Sequence, residues 1–369
     1  MKHIKVLDGI RGLAIIFVML YHFSIPYQQH YHLSGIDFLF AKVLQMGWLG
    51  VDLFFVMSGF LITNILLNTK SKPNYYKNFY IRRILRIFPL YYGILIILLL
   101  VLPSISNSFD SKTAIMQENS FWFWSYLVNW KVASLGTFSG FQSGYMWSLA
   151  VEEQFYIIWP FVVHAFRKNL IKASLTILLL SFMLKLWLLL EGATGTTIYT
   201  MTITHLDGLL LGSIFGSLYF QKRITPDLIR KIGYCSVVSL IGCGIIMIVT
   251  GAFIFYSPLV GSIGVTLTSV IFTYILLKAV RNEVHTGILA NPLVIKCGQL
   301  CYGLYLLHQP IGVVISENII SSTSFQLGGS FIPAVILNAG ICFIASVVIA
   351  AISYKFFELP LLNLKKHFT

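Results

Sequence analysis

Gly47-Trp48-Leu49-Gly50-Val51-Asp52-Leu53-Phe54-Phe55-Val56-Met57-Ser58-Gly59-Phe60-Leu61-Ile62-Thr63-Asn64-Ile65-Leu66-Leu67 is a run of 21 residues holding one charged side chain, Asp52. At the 1.5 Å rise of an α-helix it is roughly 31 Å long, matching the roughly 30 Å hydrocarbon core of a bilayer. The run predicts a membrane-spanning helix, and the 369-residue chain repeats the pattern. Taking about 20 mostly apolar residues per span, ten spans are expected, at 9–27, 47–67, 84–103, 145–166, 170–190, 200–220, 233–253, 256–280, 299–319 and 332–356. Composition agrees: 57% of residues are hydrophobic and 11% charged, with a mean hydropathy of +0.81, whereas soluble chains carry roughly 25% charged residues. The expected fold is an all-α integral membrane protein with about ten transmembrane helices, a single membrane-embedded domain over 1–369 in a bacterial cell membrane.

Charge gives the expected orientation. With the N-terminus inside, the inner segments take 21 basic residues, from Lys2 and Lys5 through Lys70, Lys72, Lys77, Arg82, Arg83 and Arg86 to Lys365 and Lys366. The outer segments take only Lys42, Lys112 and Lys131. A miscounted helix would invert every later loop, so the alternation predicts both termini in the cytoplasm. The net charge of +13 then serves orientation and excludes nucleic acid as a partner. The five cysteines form no CxxC pair, so neither a disulfide framework nor a metal site is expected. The first apolar run contains Arg11 and His22 and lacks a small-x-small cleavage site, which predicts a permanent helix rather than a removed signal. In the long outer loop, about 104–144, the stretch Phe121-Trp122-Phe123-Trp124-Ser125-Tyr126 reads as an interfacial anchor, or as a wall of an acceptor site.

Ionisable groups at membrane depth are costly, and each is a functional candidate. Arg11 and His22 lie eleven residues apart, within about 20° of three full turns, so they share one helix face roughly 16 Å apart along the axis. Asp52 and His22 fall at similar depth in the outer half. A carboxylate holding one imidazole nitrogen would raise the basicity of the other; alternatively, Asp52 bonds a neighbouring helix. In the fourth span Ser148, Glu152, Phe155, Tyr156 and Trp159 recur at helical spacing, which favours Glu152 over Glu153 for the interior. The sixth span adds His205 and Asp207, and the ninth adds Tyr302, Tyr305 and His308 before Pro310. Together these groups predict a hydrated cavity from the midplane to the outer third. At the inner end of the third span, Arg82, Arg83 and Arg86 stand at i,i+3 and i,i+4, spacings that surround one polyanion with guanidinium forks. Positive-inside orientation accounts for basic residues there, though not for the choice of Arg over Lys.

In order along the chain, Leu7-Asp8-Gly9-Ile10-Arg11-Gly12-Leu13-Ala14 with His22, Gly50-Val51-Asp52-Leu53-Phe54-Phe55-Val56-Met57-Ser58-Gly59-Phe60-Leu61, Arg82-Arg83-Ile84-Leu85-Arg86, Trp147-Ser148-Leu149-Ala150-Val151-Glu152, Tyr305-Leu306-Leu307-His308 and Glu358-Leu359-Pro360 resemble the acyltransferase 3 family of integral membrane O-acyltransferases. The resemblance covers nearly the whole chain. It implies acyl-CoA, commonly acetyl-CoA, as co-substrate, His22 as catalytic base with Arg11 as its partner residue, and Arg82, Arg83 and Arg86 near the CoA phosphates. His205 stands where Arg is expected before Asp-Gly-Leu. The hydrolase-like extracytoplasmic domain that some members carry is not expected in this chain, nor is a relay within it, and a separate extracytoplasmic transferase is a possible partner.

The expected reaction moves an acyl group from cytoplasmic acyl-CoA to a hydroxyl of an envelope polysaccharide or another acceptor, in contact with membrane lipid. His22, oriented by Asp52 or Glu152, would take the hydroxyl proton. Ser58, Ser148 or Tyr305 could carry a transient acyl group or bind the oxyanion, with Asp207 and His308 in support. The alternative is a proton-coupled secondary transporter relaying protons through the buried His, Asp and Glu. Such proteins often show internal repeats and interrupted helices at matching positions, and the sequence displays neither.

Overall fold

The computed structural model describes residues 5–30, 35–105, 111–139, 144–281, 287–318 and 330–368. Lys2, the side chain of Lys112 and the loop stretches 106–110 and 140–143 lie outside the described residues. No strand is found among the described residues, and every stretch expected as a span contains a helix. In chain order these are α1 (Lys5–His30), α2 (Leu49–Thr69), α3 (Tyr75–Ile96), α4 (Trp147–Ala165), α5 (Leu170–Leu190), α6 (Asp207–Phe220), α7 (Pro226–Thr250), α8 (Val265–Val280), α9 (Cys301–Asn318) and α10 (Ile332–Ser353). Among the described residues, seven helical stretches, containing α1, α2, α3, α5, α7, α8 and α10, are long and apolar enough to cross a membrane. Of the other three, α6 has 14 residues, while α4 and α9 carry polar residues that lower their apolarity. The chain is a multi-pass membrane protein.

Several boundaries differ from expectation, and two of them bear on the site. Helix α3 begins at Tyr75, so Arg82, Arg83 and Arg86 sit on a continuous helix rather than at its entry. The sixth stretch is broken: Gly195–Thr200 is helical, the chain then unwinds, and α6 begins only at Asp207. His205 lies in the unwound turn between them.

Glycine sets the spacing of the central helices. A Cβ on Gly59 would lie 1.9 Å from the Leu209 carbonyl oxygen, and one on Gly212 2.1 Å from that of Val56, so α2 and α6 touch backbone to backbone. Gly12 against Val294 and Gly298 against Asp8, each at 1.8 Å, seat the short helix Pro292–Gln299 on α1 in the same way. Lipid tails are as apolar as leucine, so close packing and polar contacts must supply the attraction that water supplies in soluble proteins. Outside this core, α5 and α7 expose Leu179, Leu180, Val238 and Ile248, an apolar surface suited to lipid.

The aromatic outer stretch is docked, not floating. Phe123 is fully buried, the Tyr91 and Tyr92 hydroxyls donate to the Phe123 and Trp124 carbonyls at 2.8 and 3.1 Å, and Tyr126 stacks on Tyr91 with ring centroids 4.1 Å apart. Two tyrosines of α3 thus hold the stretch against the bundle.

Candidate active site

Helices α1 and α9 bring His22 and His308 together, with His22 Nδ1 3.0 Å from His308 Nε2. The opposite nitrogen of His308, Nδ1, faces the Leu304 carbonyl at 3.0 Å. A carbonyl only accepts, so that nitrogen carries the hydrogen and a neutral His308 has a bare Nε2. His308 Nε2 therefore accepts from His22 Nδ1–H, which leaves His22 Nε2 unprotonated and able to act as a base. Pro310 helps to fix this arrangement. Lacking an N–H, it leaves the Leu306 carbonyl without its helical partner, and the Tyr145 hydroxyl donates to that oxygen at 2.6 Å. The Tyr145 ring then stands edge-on to His308, with centroids 5.4 Å apart.

Three neighbouring cavities, which share lining residues, succeed one another toward His22. The first, about 500 Å³, is lined by Lys72, Arg82, Arg83, Arg86 and Lys365 together with Asn68 and Asn78, and by no carboxylate among the described residues. Arg83 and Arg86 also line the second, of about 210 Å³, which contains Arg11, Ser58, Ser148, Glu152, Tyr156 and Tyr305. Val51 and Tyr305 are shared in turn with the third, of about 100 Å³, which contains His22. The three cavities thus lie in series from a cation-lined mouth to the His22 imidazole.

In the middle cavity Ser58 and Tyr156 both hydrogen-bond Glu152 Oε1 and also pair with each other. The Arg83 guanidinium lies over the Tyr156 ring, 4.7 Å from its centroid, a cation–π contact that fixes its height in the path. Arg11 is held by Asp8 at 3.4 Å. At the junction with the His22 cavity, the Tyr305 hydroxyl donates to the Tyr145 carbonyl at 2.8 Å and pairs with Ser148 Oγ at 2.5 Å, so Ser148 is the donor of that pair.

Asp52 does not meet His22. It is buried against His205, with Nε2 to Oδ1 3.0 Å, and against the hydroxyls of Tyr199 and Thr268, each at 3.4 Å. Neither does Glu152 reach His22; the side chain that meets the His22 ring nitrogen is His308. Asp207 forms a fully buried ion pair with Lys185 and accepts from Thr266 at 2.7 Å. The reading of the sequence passed over Lys185, although a lysine within a leucine-rich span meets the same criterion that singled out Asp52. None of these four groups lines the three cavities. The two adjacent carboxylates point apart, as expected, but the interior does not go to Glu152 alone: Glu152 is half-buried in the middle cavity, while Glu153 is the more buried of the two and its Oε1 has no hydrogen-bond partner among the described residues.

Comparison with known proteins adds the following. The sequence profile of the acyltransferase 3 family, described as an acyltransferase domain, matches residues 4–355. The peptidoglycan O-acetyltransferase OatA of Listeria monocytogenes is 26% identical over 98% of this chain and 56% of its own length. The O-acetyltransferase OatA of Staphylococcus aureus is 30% identical over 98% of this chain and 57% of its own length. A putative O-acetyltransferase of Staphylococcus aureus is 27% identical over the same shares of the two chains. The chain thus spans a little over half the length of these curated relatives. No solved structure matches it.

Proposed function

Because the chain belongs to the acyltransferase 3 family, we propose that it transfers an acetyl group from acetyl-CoA to a hydroxyl of an envelope glycan, with His22 as general base. The observation that carries this reading is the series of three neighbouring cavities between the cation-lined mouth and His22. Five cations line the mouth with no carboxylate in the same lining among the described residues; Glu152, Glu153 and Glu358 offset part of the charge of Arg83 and Arg86 from behind, and a phosphorylated donor relieves the repulsion that remains. The mouth takes the nucleotide phosphates, and the pantetheine arm runs up the middle cavity past Arg11, Ser58 and Glu152. Arg11 and His22 lie on one face of α1 roughly 16 Å apart, a span for an extended pantetheine.

The chemistry then needs one base. His22 Nε2 takes the acceptor's hydroxyl proton as the oxygen bonds to the thioester carbonyl carbon. The tetrahedral adduct collapses with cleavage of the C–S bond, and the CoA thiolate leaves with the proton returned by His22. Tyr305 lines both inner cavities, and its hydroxyl, which donates to the Tyr145 carbonyl at rest, would turn to the oxyanion as that forms. Asp52–His205 and Lys185–Asp207 hold α2, α5 and α6 together and take no part in the reaction. The transporter alternative would need those groups beside a substrate path, and they lie away from it.

The test is the mass of envelope glycans from cells with and without the gene. Loss of an acetyl increment is expected on deletion, restored by the wild-type gene and not by His22→Ala. Unchanged glycans in the deletion strain would refute the assignment.

A further inference from the structure

The cavity that holds His22 is unlike the other two. Nine of its fifteen lining residues are Phe, Tyr or Trp, including Trp48, Phe138, Trp147, Tyr199 and Tyr256. Apart from His22 itself, none of the fifteen is basic or acidic. One further side chain has hydrogen-bonding capacity to spare: Gln309, next to His308 on α9, lines the cavity, and its Oε1 is buried without a hydrogen-bond partner among the described residues. An unsatisfied buried amide opposes folding, and binding sites are where such groups persist, because a ligand completes them.

We propose that this cavity is the acceptor subsite, built for one edge of a neutral, polyhydroxylated ring, and that Gln309 positions the ring by hydrogen-bonding a hydroxyl beside the one that reacts. The inference rests on the transferase reading and adds the acceptor's chemistry to it. Aromatic faces suit the C–H surfaces of a pyranose, and one amide plus one imidazole suit two neighbouring hydroxyls. The volume of about 100 Å³ is near that of three waters at about 30 Å³ each, enough for a ring edge and too little for a disaccharide. With no cation in the lining, a carboxylate-bearing sugar would enter uncompensated, so the cavity discriminates against acidic rings.

The test uses the full chain in lipid nanodiscs, with quenching of the Trp48 and Trp147 emission as the measure of binding. The probes are methyl glucoside, methyl glucuronide and the monohydric alcohol cyclohexanol. Glucoside is expected to bind at least tenfold more tightly than glucuronide. Gln309→Leu should weaken glucoside binding about tenfold and leave cyclohexanol unchanged, and Gln309→Asn should recover part of the loss. Thermal melting of each variant separates lost binding from lost folding. Equal binding of glucoside and glucuronide, or a Gln309→Leu protein that melts like wild type and binds glucoside normally, overturns the subsite. Glucoside binding without acetyl transfer from acetyl-CoA would instead keep the subsite and sink the proposed function.

Discussion

His308→Leu isolates the orienting contact from the base itself. The substitution removes the Nε2 that accepts from His22 Nδ1–H at 3.0 Å and keeps an apolar side chain in a buried position. His22 then has two choices: leave Nδ1–H without its side-chain acceptor, or move the proton to Nε2 and cease to be a base. Leaving a buried donor unsatisfied costs about 1–3 kcal/mol, which at 1.36 kcal/mol per tenfold predicts a fall in kcat of roughly 5- to 150-fold. The contact of His22 with the backbone of Val18 remains and puts the expectation at the lower end, about tenfold. Thiol release from acetyl-CoA, followed in nanodiscs at saturating donor and acceptor, reads the change. The KM for donor should not move, because the cationic mouth lies at the other end of the path. His308→Gln, whose carbonyl can accept the same hydrogen, should recover much of the rate. A folded His308→Leu protein within twofold of wild type, or one whose donor KM rises in step with its loss of rate, would refute the tautomer argument.

Three other outcomes are expected. Lys185→Met strands the Asp207 carboxylate in the core and should cost about 3–5 kcal/mol, read as a drop in melting temperature in detergent, whereas Lys185→Met with Asp207→Leu should regain most of it; equal melting of the single and double variants would contradict the buried pair. Arg83→Ala or Lys365→Ala should raise the KM for acetyl-CoA about tenfold or more, as expected for loss of a charge-assisted contact, and should reduce the salt sensitivity of that KM with kcat little changed. Gly212→Ala places a Cβ 2.1 Å from the Val56 carbonyl oxygen and should force α2 and α6 apart, seen as lower melting temperature in detergent, while Gly244→Ala, with nothing within 4 Å of its Cβ, should melt like wild type.

Much of the fold could be read from the sequence because a bilayer leaves few ways to satisfy a backbone. Long apolar runs must be helices, and all ten expected stretches contain one. What hydropathy could not reveal was the break before Asp207, since an average over some 20 residues smooths across the unwound turn at His205. Within one helix, periodicity is equally informative: Arg11 and His22 share a face of α1, and both line the neighbouring cavities. Between helices it fails. Depth put Asp52 level with His22, but depth does not say which helix lies beside which, and the close approach of α2 to α6 through Gly59 and Gly212 turns Asp52 toward His205 instead. The partner His22 does have, His308, comes from a helix nearly 300 residues away, and only the packing of α9 on α1 reveals it. Lys185 had a signal, a charge inside an apolar run, and its partner Asp207 was already a candidate. The aromatic stretch near Trp124 announced itself by composition, but its docking did not, because the Tyr91 and Tyr92 hydroxyls that hold it come from α3.

The central claim is that His22 performs the transfer while the cationic mouth holds the donor. Labelled acetyl-CoA, presented to wild type and His22→Ala in nanodiscs, tests both halves in one experiment by measuring bound donor and acetylated glycoside. The expected result is unchanged donor affinity in His22→Ala with transfer reduced by about 10²–10⁴-fold, the usual contribution of a general base. Full transfer by a folded His22→Ala protein, or loss of donor binding along with transfer, would contradict the account.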